Sequence, residues 1–363
     1  MSTQKTEKTL IEFGKFLSQY GPEKITKKNN IKNNDPYFEV VKSLVNNLHH
    51  SNPWFTPDNV RLALSNWVEA LSTEKIKKWL SSYNVPDNTK PKNVGIIMAG
   101  NIPLVGLHDL LSVLTSGHRA VVKMSSSDNK LLPVLVKYLE NIHPDWKGKV
   151  EFKEEGRFNN IDAVIATGSD NSARYFEYYF GKWPHIIRKN RNGVAVLTGD
   201  ENEKELEGLA DDIFTYFGLG CRNVSKIFVP KDFDLNKLFK ASLKYSHYTN
   251  HEKYMNNYRF NKAVLSMDKS LNENKGVWEN GLLILKRDPG YSAPVSVVFY
   301  EDYENVDNIK KILNHDQDKI QVIVSQADIP GAIPYGTTQK PELWDYADGV
   351  DTMAFLLDLH NKN

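Results

Sequence analysis

Apolar residues in the first 82 positions recur at helical spacing. Phe13, Phe16, Leu17 and Tyr20 share one face, as do Phe38, Val41, Leu44, Val45 and Leu48, so residues 5–82 read as a helical lead-in. Ser51-Asn52-Pro53-Trp54-Phe55 interrupts this pattern. Thr56-Pro57 then offers an N-cap and a first-turn proline to a helix carrying Leu62, Leu64, Trp67, Val68 and Leu71. Trp54 and Phe55 read as loop-anchoring core, with pocket lining as the alternative.

From Val94 onward the period changes. Short β-branched runs at 94–98, 119–123, 161–166 and 194–197 alternate with helical stretches at 104–115, 131–142 and 171–180, and Gly117 closes the first of these helices. Such alternation predicts an α/β fold with a doubly wound parallel sheet. A second α/β stretch follows, with a helix at 203–217, a strand at 226–229, helices from Leu235 and Glu252, and strands at 282–285, 295–299 and 320–324. The expected organisation is a helical lead-in and first α/β domain over 1–200, a second α/β domain over 201–330 and a C-terminal tail over 331–363.

Composition narrows the function classes. Lys and Arg number 46 against 45 Asp and Glu, so no net field would hold the chain to nucleic acid or an anionic membrane. The apolar run over 94–107 is broken by Asn101 and followed by His108-Asp109, too short and polar for a membrane span. The opening Met1-Ser2-Thr3-Gln4-Lys5-Thr6-Glu7-Lys8 has no apolar signal core, and a single cysteine forms no internal disulfide, so a cytoplasmic location is expected. The Asn/Lys-rich patch over 27–34 reads as a solvated loop.

Four segments could carry chemistry. Cys221 lies in Phe217-Gly218-Leu219-Gly220-Cys221-Arg222-Asn223-Val224-Ser225, on a loop between a helix and a strand. Its glycines permit close backbone approach and Arg222 favours a thiolate, while the plainer reading is an inert packed thiol. Asn101, in Ala99-Gly100-Asn101-Ile102-Pro103 after the first strand, could aim its amide at an oxyanion or simply form a turn. Lys123 ends the second strand and is followed by Met124-Ser125-Ser126-Ser127-Asp128. That set suits ribose and phosphate, or is a snorkelling lysine with a Ser/Asp helix cap. Thr167-Gly168-Ser169 joins strand to helix, where a phosphate or an ordinary capped turn would fit.

In this order and spacing the segments resemble the aldehyde dehydrogenase superfamily, and within it the fatty acyl-CoA reductases of the LuxC type, from about Lys92 to the C-terminus. The resemblance implies a nucleotide-binding domain and a second α/β domain with a cysteine nucleophile. It makes Cys221 that nucleophile, Asn101 the oxyanion donor, and Lys123, Ser125, Ser126, Thr167, Gly168 and Ser169 the cofactor-binding residues. Ala293-Pro294-Val295 is similar to a Phe-Gly-Pro-Val stretch of the superfamily's catalytic domain. No metal is implied.

The departures sharpen what is implied. The stretch Ile187-Arg188-Lys189-Asn190-Arg191-Asn192-Gly193 has no acid where hydrolytic members carry a general base, which favours acyl reduction over aldehyde oxidation. Asp288-Pro289-Gly290-Tyr291-Ser292 also lacks the superfamily's later glutamate. Ser126 replaces the acid of NAD-preferring members, so NADPH is expected, with NADH as the alternative. His315, in Asn314-His315-Asp316, is the candidate general acid, with a surface histidine at a helix end as its plainer reading, and His185 is a weaker candidate. The expected substrate is an acyl-CoA, with a protein acyl donor as a further partner, and a homo-oligomer pairing through a C-terminal strand near Thr352 to Leu357. The competing functions are an aldehyde-oxidising dehydrogenase of the same fold and a catalytically silent partner-binding relative.

Overall fold

The computed structural model describes residues 3–86, 90–153, 158, 160–267 and 276–361. Met1 and Ser2 of the opening run lie outside the described residues. The chain forms two compact units, Met1–Lys189 with Pro341–Asn363 and Asn190–Lys340. Set beside the expected boundaries at 200 and 330, each division falls about ten residues away, before 200 and after 330.

The first unit opens with α1 (Thr3–Leu17), α2 (Asp35–Asn47), α3 (Pro57–Ala70) and α4 (Thr73–Ser81). Thr56 caps α3 by accepting from Asn59 N, with Pro57 in the first turn, as the capping pattern predicts. Phe13, Phe16, Leu17 and Tyr20 are fully buried, and Phe55 is core. β1 (Asn93–Ile97), α5 (Leu107–Thr115), β2 (Arg119–Lys123), α6 (Leu131–Ile142), β3 (Val150–Lys153), β4 (Ala163–Thr167), α7 (Asp170–Phe180) and β5 (His185–Arg188) follow. The five strands form a sheet in the order β3-β2-β1-β4-β5, parallel throughout. Sequence order runs one way from β1 to β3 and the other way from β4 to β5. That reversal places a crevice at the carboxyl ends of β1 and β4.

The second unit contains β6 (Asn192–Val196), α8 (Glu203–Phe214), β7 (Val224–Pro230), α9 (Asn236–Ser242), α10 (Glu252–Met267), β8 (Val277–Glu279), β9 (Ile284–Arg287), β10 (Val297–Tyr303), α11 (Val306–His315) and β11 (Ile320–Ser325). Its sheet has the order β11-β6-β7-β10-β9-β8, parallel except for the antiparallel β8–β9 pair. The strand expected at 194–197 in the first sheet therefore belongs to the second, where β6 lies between β11 and β7. Periodicity identifies a strand but not its neighbours.

Three further expectations are corrected. Residues 104–106 are not helical: Leu104 has a φ of +60°, and α5 starts at Leu107. The helix expected over 203–217 ends at Phe214, because Tyr216 and Phe217 adopt φ values of +55° and +60°. The C-terminal pairing strand expected near Thr352 to Leu357 is instead α12 (Thr352–Asp358), capped by the Asp351 side chain on Ala354 N. Its Met353 and Leu356 are fully buried in the first unit's core. Apolar residues at 353 and 356 are one helical turn apart, and alternation would have put them on opposite faces of a strand.

Candidate functional site

At the carboxyl edge of the first sheet, two loops are in direct contact. Gly100 follows β1, and a Cβ placed on it would meet Ser125 Cβ at 2.5 Å and Ser127 Oγ at 2.6 Å, so only glycine permits this approach. Ser127 Oγ donates to Gly100 O at 3.0 Å, and the Ser125 and Ser127 hydroxyls bond at 2.8 Å. Asp128 completes the join. Its buried carboxylate accepts from Leu104 N at 3.0 Å and so anchors the left-handed residue that ends the Asn101 loop. Asp128 is thus a tie to the preceding loop and not the helix cap that its spacing predicts; α6 starts with no side-chain cap. Burial pushes its pKa up to about 6, against the lowering effect of the Leu104 N–H.

These ties leave Asn101, Lys123 and Ser126 exposed and Ser125 half-buried along the edge. Lys123 ends β2 alongside Ile97 of β1. Thr167 ends β4, and its hydroxyl accepts from Arg188 Nη1 at 3.4 Å. Ser169 is the N-cap of α7, accepting from Ser172 N at 3.3 Å, and Gly168 has no room for a Cβ, which would meet Phe176 and Ser172 at 2.9 Å. The donor set fits a dinucleotide: an ammonium, exposed hydroxyls and an 11-residue helix N-terminus share the edge where the strand order reverses. Asp128, the acid nearest Ser126 in sequence, is turned inward.

The acid-free stretch begins in β5. Arg188 makes a bidentate, buried ion pair with Asp109 of α5, at 2.6 and 2.8 Å, and donates to Thr352 Oγ1 of α12 at 3.0 Å. A structural cation, committed to the core of the first unit, therefore stands in that segment.

Cys221 is exposed, on the loop between α8 and β7. Tyr216, Phe217 and Gly218 are left-handed in succession, with φ of +55°, +60° and +74°, so the chain reverses sharply after α8. Left-handed tyrosine and phenylalanine each cost of order 1 kcal/mol and need outside support. Asn223 supplies it. Its Nδ2 donates to Asp212 O and Thr215 O, both at 2.9 Å, and its Oδ1 accepts from Gly220 N at 2.8 Å. Phe217 also packs on Tyr248 and His251, with ring centroids 4.2 and 4.3 Å away. Nothing in the sequence spacing of Asn223 marks it as the clamp.

His315 is exposed and ends α11. Because β11, β6 and β7 are parallel neighbours, the segments that hold His315 and Cys221 both lead into amino ends of strands on one sheet edge. Ser292 joins that edge through Asn190 Nδ2 at 3.3 Å and Asn192 Nδ2 at 3.1 Å, and Tyr291 OH donates to Asp316 at 2.8 Å. His185, exposed at the start of β5, bonds Trp183 O through Nδ1 at 2.8 Å. Among the described residues no cluster of His, Cys, Asp and Glu could hold a metal, and no helix is long and apolar enough to cross a membrane.

The sequence model of the family described as Acyl-CoA reductase (LuxC) matches residues 3–323. A long-chain acyl-protein thioester reductase of Aliivibrio fischeri is 25% identical over 195 residues, 48% of this chain and 40% of that protein. The match thus spans less than half the length of that curated relative. Among solved structures, aldehyde dehydrogenase 21 from Physcomitrella patens is similar with a TM-score of 0.63 at 10% identity, over 99% of this chain and 84% of that one. A benzaldehyde dehydrogenase from Corynebacterium glutamicum gives 0.61 at 12% identity, over 90% and 77%. At such identities the likeness establishes the fold, which is that of the aldehyde dehydrogenases.

Proposed function

The chain belongs to the acyl-CoA reductase (LuxC) family, and from that premise we propose that it reduces an acyl thioester to an aldehyde by way of an acyl-enzyme on Cys221. The observation that carries the proposal is the exposed cysteine on a loop whose left-handed turn is clamped from within by Asn223.

In this reading the Cys221 thiolate attacks the thioester carbonyl carbon. A new C–S bond forms, and the negative charge moves to the carbonyl oxygen, where the Cys221 N–H and the Asn101 amide are the assigned donors. Collapse breaks the original C–S bond and the leaving thiolate takes up a proton. A nicotinamide dinucleotide, when bound, would supply the hydride that the acyl carbon takes up, and cleavage of the Cys221 C–S bond then releases the aldehyde and returns the thiolate. Lys123, Ser125, Ser126 and Thr167 are the residues assigned to hold it, and the inward turn of Asp128 supports NADPH over NADH.

Hydrolysis of the acyl-enzyme would need a base. The segment that carries one in hydrolytic relatives holds Arg188, locked to Asp109, so water activation has no acid there and aldehyde oxidation is the weaker reading. His315 is the assigned proton source. Acyl-CoA is the assigned donor. The name of the Aliivibrio fischeri relative supports an acyl-protein as the second donor class.

The decisive experiment incubates the protein with an acyl-CoA series and seeks, by mass spectrometry, a hydroxylamine-labile adduct on Cys221 that NADPH discharges. Cys221→Ala removes the adduct. Absence of an adduct at every chain length in the unmodified protein overturns the proposal.

A further inference from the structure

The residues on either side of Cys221 are both tied to one buried acid of α8, Asp212, which is 1% exposed. On the preceding side, the main-chain carbonyl of Asp212 accepts from Asn223 Nδ2 at 2.9 Å, and Asn223 Oδ1 in turn accepts from Gly220 N. On the following side, the carboxylate accepts from Gly336 N at 2.7 Å and from Thr338 N at 3.0 Å. The carbonyl of the fully buried Thr338 then accepts from Arg222 Nε at 2.5 Å. The turn at Gly336 has a φ of +80° and approaches α8 so closely that a Cβ there would meet Gly208 Cα at 3.1 Å. With no side chain at either glycine, the carboxylate ties the main chain of this turn to the helix, beside the Tyr335 hydroxyl, which bonds Val196 O and Glu201.

We infer that Asp212 is a positioning residue for Cys221, holding Gly220 through Asn223 and the Arg222 guanidinium through Thr338. This rests on the reading of Cys221 as the nucleophile. An ionised carboxylate can accept from two N–H groups at once. Asparagine keeps the shape but turns one acceptor into a donor, which then opposes a main-chain N–H. The turn that carries Gly336 and Thr338 must shift, and the guanidinium anchored on the Thr338 carbonyl shifts with it. A cation beside a thiol lowers its pKa, and moving that cation away raises it.

Because Cys221 is the chain's single cysteine, alkylation of the whole protein by iodoacetamide, followed by intact mass across a pH series, reports on this thiol alone. Arg222→Ala should raise the pH midpoint by about one unit, a tenfold loss of thiolate at fixed pH. Asp212→Asn should raise it likewise, and the double variant should move no further than Arg222→Ala. Asp211→Asn, which removes the adjacent half-buried charge paired with Lys244, should leave the midpoint in place. An unmoved midpoint in folded Asp212→Asn, or shifts that add in the double variant, overturns the inference.

If Asp212→Asn does not fold, Asn223→Asp tests the other flank, since it keeps the acceptor for Gly220 N and loses the donors to α8. A slowed alkylation rate at saturating pH is expected, and an unchanged rate overturns the inference. Alkylation needs no acyl transfer. Failure of the nucleophile reading appears separately, as the absence of an acyl adduct on the unmodified protein.

Discussion

Ser126 is exposed at the carboxyl edge of the first sheet, and the nearest acid in sequence is turned away from it. Ser126→Glu places a charge there that opposes a 2′-phosphate, and should shift the NADPH to NADH preference ratio toward NADH by roughly tenfold or more. Titrating both nucleotides against intrinsic fluorescence checks this without turnover. Asn101→Ala should lower the rate of acyl-adduct formation by about 10²-fold while the adduct stays on Cys221, as loss of one oxyanion donor does. Single-turnover mass spectrometry measures that rate. Gly100→Ala meets Ser125 and Ser127 within 2.6 Å and should cost about 1–3 kcal/mol, read as a lower melting temperature.

At the scale of elements, both candidate loops depend on left-handed residues that a single polar side chain holds in place. Asp128 anchors Leu104, so Asp128→Ala leaves a buried N–H without its acceptor and should cost about 1–3 kcal/mol in urea unfolding. The same dependence explains what was legible in the chain. Amphipathic helices such as α1 and α6 were readable because every third or fourth residue is core. The loop positions of Cys221 and Asn101 and the strand-end position of Lys123 were readable because each borders or ends a β-branched run. β3, β5 and β8 were missed, since each has three or four residues and a partly polar pattern, and pairing rather than propensity makes them strands. The helix ends at Leu104 and Phe214 were missed for a different reason. Leucine, tyrosine and phenylalanine give no local signal for a positive φ, which here comes from Asp128 and Asn223, 24 residues after Leu104 and 9 after Phe214.

Across the molecule, buried ionisable groups make stability depend on pH. His118 is fully buried, accepts from Lys92 N at Nδ1 and donates from Nε2 to Leu356 O, so its neutral form suits the site. Burial lowers its pKa to about 4. The unfolded chain therefore binds the extra proton first. Stability from this group is present above pH 6.5 and is lost as pH falls from there toward 4, by at most about 3 kcal/mol. Asp128 and Asp212, raised to about 6, act with the opposite sign between pH 4 and 6. Melting temperatures across pH 4–7 should thus decline less steeply toward acid in His118→Gln than in the unmodified protein, and the difference between the two slopes isolates the histidine.

His118, Trp79, Tyr83 and Arg188 all bond to residues of the returning segment Pro341–Asn363. The first unit is therefore discontinuous, while Asn190–Lys340 is one unbroken stretch. During synthesis, the second unit can be complete while the first still waits for α12 to leave the ribosome. Nascent chains stalled shortly after Pro341 clears the exit tunnel should accordingly resist protease over 190–340 and yield over 1–189, which reverses the usual amino-to-carboxyl order of domain folding.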